Sequence, residues 1–131
     1  MPKFSKQSTA KLKTCHPLLA VIALEAIEEM DFVVLCGHRT PAEQQELYKQ
    51  GRATKGRIVT HVDGIKKKSK HNYLPSLAMD LAPYPIDWND LERFKKLADI
   101  IMRIAKENAT PLEWGGAWKM KDYPHFQLGI K

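Results

Sequence analysis

The sequence predicts an α+β fold, a small antiparallel sheet carrying three main helices. Three observations predict it. Two segments repeat apolar residues at helical spacing and a third opens on a capping box, other short apolar runs are bounded by Gly or Pro, and no internal repeat is present. A length of 131 residues, with 44% apolar and 27% charged residues, suits one folded domain with one core and excludes overall disorder.

Pro17 suits the first turn of a helix running to about Met30, with Leu18, Leu19, Ile22, Ala26 and Ile27 as its buried stripe. Lys3, Lys6, Lys11 and Lys13 before the run Leu18 to Leu24 imitate a secretory signal, but the run falls far short of the roughly 18 to 20 residues of a membrane span and continues at helical spacing. It reads as a core helix, so neither a signal peptide nor membrane insertion is expected. Phe32 to Cys36 is an apolar, β-branched run stopped by Gly37, a buried strand. Thr40, Pro41, Ala42 and Glu43 form a capping box with Pro at the first helical position, opening a helix to about Gln50 before Gly51.

Residues 51–70 keep no apolar period and read as a mobile basic loop, with Ile58 and Val59 at most a weak strand. Ser76 to Ala82, closed by Pro83, fits a half-buried strand containing Asp80. Asn89 and Glu92 repeat the capping-box spacing, and Leu91, Phe94, Leu97, Ile101 and Ile104 continue a helix to Asn108. From Leu112 to Leu128, apolar patches separated by Gly115, Gly116 and Pro124 suit one or two strands returning to the sheet.

The formal charge is +6, and its location says more than its size: Lys49 to Lys70 hold eight basic residues against Asp63 alone, leaving the body near neutral. An anionic partner is implied, whether nucleic acid, acidic membrane or wall polymer, met by a cationic loop rather than a surface tracking a duplex. With only 2 Cys and no Cys-x-x-Cys, a metal would rest on His and carboxylates; Cys15 and Cys36 read as buried small hydrophobes in a reducing compartment.

A hydrolytic zinc site needs three protein ligands and one open position. Among the five His, His16 and His61 read as surface or hydrogen-bonded residues, and His61 with Asp63 lacks a third partner. His71 ends the basic loop, Asp80 follows nine residues later on a strand, and His125 lies on the last strand behind Asp122. Three ligands from two adjacent strands and a loop would leave one side open.

The stretches Gly37-His38-Arg39-Thr40-Pro41-Ala42-Glu43-Gln44-Gln45, Ser69-Lys70-His71, Ala78-Met79-Asp80, Glu113-Trp114-Gly115-Gly116-Ala117-Trp118 and Asp122-Tyr123-Pro124-His125-Phe126 resemble the zinc D-Ala-D-Ala carboxypeptidase and L-alanyl-D-glutamate peptidase group, and within it the small phage endolysins. The resemblance spans about Phe32 to Gln127. It implies a Hedgehog/DD-peptidase-like fold and one Zn2+ per chain, with His71, Asp80 and His125 matching the ligands. By the same resemblance Asp122 matches the general base and acid, and Arg39 the arginine facing the scissile carbonyl. The implied substrate is the peptidoglycan stem peptide, cut between L-Ala and D-Glu to lyse the host of a phage. The step from His71 to Asp80 is two residues longer than the usual pattern, and Asn72 to Leu77 replace its glycine. A bulge in the connecting turn would absorb the difference.

Each residue also has a structural alternative. For Asp122 it is the capping of a turn, and for Arg39 an ion pair with Glu43 four residues on. Glu113 is a rival base, a substrate contact or a support in the cleft; Trp114 and Trp118 line a groove or pack in the core; His38 lines the cleft or packs; Ser69 orients substrate or a ligand. A D-Ala-D-Ala carboxypeptidase, or a non-catalytic wall- or nucleic-acid-binding module using the basic loop, is the alternative function. The leading expectation is a monomeric endolysin that binds no nucleic acid and stays in the host cytoplasm until a separate pore releases it to the wall.

Overall fold

The computed structural model describes residues 3–50, 52, 60 and 69–129. The expected basic loop, with Ile58, Val59, His61, Asp63 and the lysines at 66–68, lies outside the described residues apart from Arg52, Thr60, Ser69 and Lys70.

Among the described residues the elements run α1 (Lys6–Leu12), α2 (Pro17–Ala26), β1 (Phe32–Cys36), α3 (Pro41–Lys49), β2 (Ala78–Pro83), α4 (Leu91–Glu107), β3 (Leu112–Trp114) and β4 (His125–Leu128), with single 3-10 turns at Lys70–Asn72 and Gly115–Ala117. The strands form an antiparallel sheet in the order β1-β2-β4-β3. Side chains alternate across a sheet, so the register sorts them into two faces. Met79 and Leu81 of β2 and Phe126 and Leu128 of β4 enter the core with Leu19 and Ile22 of α2 and Leu97, Ile101 and Ile104 of α4. Asp80 pairs with His125 on one side and Cys36 on the other, and Gln127 pairs with Glu113, which sets a polar row across the opposite face.

Four expectations need correction. The sequence reading assigns no helix to α1, whose residues are polar except at its end; Ser5 caps it by accepting from the Ser8 amide, and only Ser8 and Leu12 are buried. Its role is to cover the sheet edge, where the Val34 amide donates to Ser8 Oγ at 3.0 Å. The helix from Pro17 stops at Ala26 rather than Met30, because the chain tightens into a turn in which the Glu29 amide reaches back only to the Ala26 carbonyl, 2.9 Å away. Leu18 faces solvent, and Ala23 takes its place in the buried stripe. The cap of α4 is Asp90 rather than Asn89: Asp90 accepts from the Arg93 amide, while the Asn89 amide is held by Asp87.

The longer step between His71 and Asp80 forms a closed loop. The Leu77 amide donates to the Lys70 carbonyl at 3.0 Å, and Ser76 exchanges backbone bonds with Thr14 and His16. Tyr73 and Leu74 bulge into solvent. The bulge thus lies beyond the hydrogen-bonded neck that leads from His71 to Asp80.

Candidate functional site

Gly37 ends β1 in a crowded place: a Cβ there would lie 2.4 Å from both the Lys11 carbonyl oxygen and Thr14 Oγ1. Its own carbonyl turns inward and accepts from His71 Nδ1 at 2.7 Å. A carbonyl only accepts, so the proton of His71 sits on Nδ1 and the electron pair of Nε2 faces the site. Ser69 caps the turn below, accepting from the His71 amide at 3.2 Å, and the Arg39 amide donates to the His71 carbonyl at 2.7 Å. His71, on that turn, is almost wholly buried.

His71 Nε2 and His125 Nδ1 lie 3.2 and 3.0 Å from the same atom, Asp80 Oδ1. Two imidazole nitrogens, from the turn and from β4, thus each meet one carboxylate oxygen of β2, while the donor atoms that all lie within 4.8 Å of one another are those of Cys36, His71 and Asp80. That donor set suits a divalent ion such as Zn2+, and the remaining side opens into a cleft of about 470 Å3 lined by Arg39, Ser69, Asp80, Trp118, Asp122 and Gln127 among others. In the metal-free chain a proton fills the same need. Burial alone would lower the pKa of His71, but its hydrogen bonds to Asp80 and Cys36 push it up to about 10. Burial opposes the charge of Asp80, and its hydrogen bonds to His125 and His71 override this and hold its pKa well below the usual carboxylate range.

Asp122 Oδ2 stands 4.0 Å from His125 Nδ1, at the exposed lip of the site. Partial burial, and then the charge of Asp80, raise its pKa against the pull of His125, His71 and Arg39. Its loop is held close to the turn after β3, where the Asp122 amide donates to the Gly115 carbonyl at 2.9 Å. Only glycine fits there, since a Cβ on residue 115 would lie 2.4 Å from the Asp122 carbonyl oxygen. Arg39 does not pair with Glu43, which instead closes the capping box on Thr40. Its guanidinium donates to Gln44 Oε1 at 2.8 Å and lies 3.8 Å from Asp80 Oδ2.

The remaining residues separate cleanly. Trp114 donates from Nε1 to the Tyr123 carbonyl at 2.8 Å and packs against the core, clamping the loop that carries Asp122, whereas Trp118 lines the cleft and lies against the His125 ring. His38 holds the Tyr73 carbonyl at 2.9 Å through Nδ1, bracing the bulged loop. His16 caps α2 by accepting from the Leu18 amide. Glu113 accepts from Gln127 Nε2 at 2.8 Å, and Gln127 Oε1 lies 2.9 Å from His125 Nε2.

Three site neighbours escape the sequence reading. Cys36 is not a core residue: it is half-buried, and its thiol lies with the ligand atoms of His71 and Asp80 in a group within 4.8 Å of one another. Gln44 is fully buried behind Arg39. Gln127 is the one with a usable signal, since it stands two residues after His125 and shares its face of a strand.

The family described as phage L-alanyl-D-glutamate peptidase matches residues 1–128. The chain is 37% identical over 127 residues to the peptidoglycan L-alanyl-D-glutamate endopeptidase CwlK of Bacillus subtilis (strain 168), covering 86% of this chain and 72% of that protein. It is 30% identical over 131 residues to the L-alanyl-D-glutamate peptidase of Escherichia phage T5, covering 96% and 88% respectively. The crystal structure of Serratia marcescens L-Ala D-Glu endopeptidase ChiX superposes with a TM-score of 0.74 at 29% identity, over 96% of this chain and 90% of that one.

Proposed function

The chain belongs to the phage L-alanyl-D-glutamate peptidase family, and from that premise we propose that it is a zinc-dependent endolysin that hydrolyses the L-Ala–D-Glu bond of the peptidoglycan stem peptide. The observation that carries the reading is the convergence of His71 Nε2 and His125 Nδ1 on Asp80 Oδ1 at the wall of an open cleft. One Zn2+ per chain would be held by His71, Asp80 and His125. When bound it supplies Lewis acidity, polarising the scissile carbonyl and acidifying water.

The other roles follow from charge and reach. Asp122, at 4.0 Å from His125 and on the solvent side, takes the proton of the attacking water and later passes it to the departing amine. Arg39, held from behind by Gln44, offers its guanidinium to the developing oxyanion, an interaction typically worth roughly 3 kcal/mol. Ser69 supports the turn beneath His71, and Trp118 forms a wall against which the peptide lies. The enzyme acts as a monomeric single domain, is made in the host cytoplasm and meets the wall after a separate pore opens. None of the helices among the described residues is long and apolar enough to cross a membrane.

Digestion of purified peptidoglycan followed by mass spectrometry tests both bond and metal. The expected products carry a new C-terminal L-Ala and a new N-terminal D-Glu, and release of free D-Ala instead would mark a carboxypeptidase. Asp122→Ala is expected to lose about 10²-fold or more of the cleavage rate while retaining zinc, and His71→Ala to lose both. Undiminished hydrolysis by His71→Ala in the presence of a chelator would end the zinc mechanism.

A further inference from the structure

We propose that Glu113 and Gln127 are positioning residues which decide which nitrogen of His125 is free to bind metal. The inference rests on the reading of His71, Asp80 and His125 as a metal site, and it follows from the direction of hydrogen bonds alone. Glu113, on β3, is exposed, and its carboxylate Oε2 is an acceptor. At 2.8 Å it therefore takes a proton from the amide nitrogen of Gln127, its cross-strand partner. The amide cannot flip without placing oxygen against oxygen. Its Oε1 is in consequence committed to the other side, where it lies 2.9 Å from His125 Nε2. An amide oxygen accepts, so it holds a proton on Nε2; the Asp80 carboxylate, which also only accepts, lies 3.0 Å from Nδ1 and draws the other ring proton, so Nδ1 is the nitrogen that a metal would strip of its proton and bind.

A carboxylate, an amide and an imidazole thus form a chain along one face of β3 and β4. It ends in a proton held on Nε2 of the ring. His71 achieves the same end by a different route, through the Gly37 carbonyl. The two imidazoles use opposite nitrogens, Nε2 in His71 and Nδ1 in His125, and each has its other nitrogen tied to an oxygen. The backbone carbonyl can never reverse, whereas the amide of Gln127 can, and Glu113 is what prevents it. This gives Glu113 a purpose other than that of a rival base. Hydrogen-bond partners of this kind typically change metal affinity by about 10–100-fold when removed.

The test uses the full chain with uniform 15N labelling. Long-range proton–nitrogen correlation identifies the protonated nitrogen of His125 with and without zinc, and competition with a chromophoric chelator gives the zinc affinity. In the wild type His125 is expected to carry a proton on Nε2 in both states and, with zinc bound, none on Nδ1. Gln127→Leu, at a half-buried strand position, should lose the fixed Nε2 proton and show about 10–100-fold weaker zinc binding. Glu113→Gln, which can donate as well as accept, should release the amide and loosen the Nε2 proton in the same way with a smaller loss of affinity. A zinc-bound wild type with its proton on Nδ1, or wild-type Nε2 protonation and affinity in Gln127→Leu, would overturn the inference. If the wild type binds no zinc, the metal-site reading fails on its own, and the tautomer spectra still decide whether Glu113 and Gln127 orient the ring.

Discussion

At the scale of single residues, the site is defined by electron pairs that point at one another. The proton on His71 Nδ1 is fixed by the Gly37 carbonyl, so any charge between His71 Nε2 and Asp80 Oδ1 must come from a second proton or from a metal. In the metal-free chain, the ion pair with Asp80 raises the His71 pKa from an ordinary 6.5 to about 10, against the effect of burial. Stability from that pair is therefore complete below about 6.5, where unfolded His is also protonated, and is lost as the pH rises through about 10. A zinc ion held through His71 Nε2 would have to displace that proton. Its affinity should climb with pH across that window and level off above it. Calorimetric zinc titrations at pH 7.5 in buffers of different ionisation enthalpy are expected to show about one proton released from His71 per ion, and buffer-independent heats would contradict this protonation state.

At the scale of elements, the site depends on short segments held by close backbone contacts rather than on long helices. The loop from Gly115 to Asp122 is pinned by the Asp122 amide on the Gly115 carbonyl and by Trp114 on the Tyr123 carbonyl. Gly115→Ala would put a Cβ 2.9 Å from Asp122 Cβ as well as against its carbonyl, so the carboxylate must shift outward. Misplacement of a catalytic group by about 1 Å can cost about 10²-fold, so the expected result is a loss of that order in cleavage rate with zinc binding preserved. Equal rates for variant and wild type would show that Asp122 does not need this placement. The strands and the two longer core helices were legible because their apolar periods are strong, as in Phe94, Leu97, Ile101 and Ile104. α1 was not, because its contribution is a single Ser8 hydroxyl on a strand edge and leaves no periodic trace. The cap of α4 was misplaced by one residue because Asn89 and Asp90 are both good capping residues, and the choice between them lies in the turn from Asp87.

At the scale of the whole molecule, one sheet separates two jobs. Met79, Leu81, Phe126 and Leu128 bind the sheet to α2 and α4, while Asp80, His125 and Gln127 alternate with them on the same strands and build the site. This explains what sequence could and could not reveal about the site. His71, Asp80 and His125 stand out through motifs and strand alternation, but Cys36 enters it through a register shift in β1 and Gln44 as the one buried residue of α3, which no local pattern encodes. The division also predicts that core and site act independently. Ile101→Ala removes fully buried side-chain volume from α4 and should cost about 2–5 kcal/mol in urea unfolding. Zinc at about a hundred times its dissociation constant should return about 2.7 kcal/mol to wild type and variant alike, because it would bind the folded chain through residues on the face of the sheet opposite the core that holds Ile101. Sites without shared partners add to within about 0.5 kcal/mol, so unfolding of both proteins with and without zinc should give the same increment. An increment differing by more than about 1 kcal/mol would mean that packing beneath the sheet sets the spacing of the donors above it, and that the two faces are one mechanical unit.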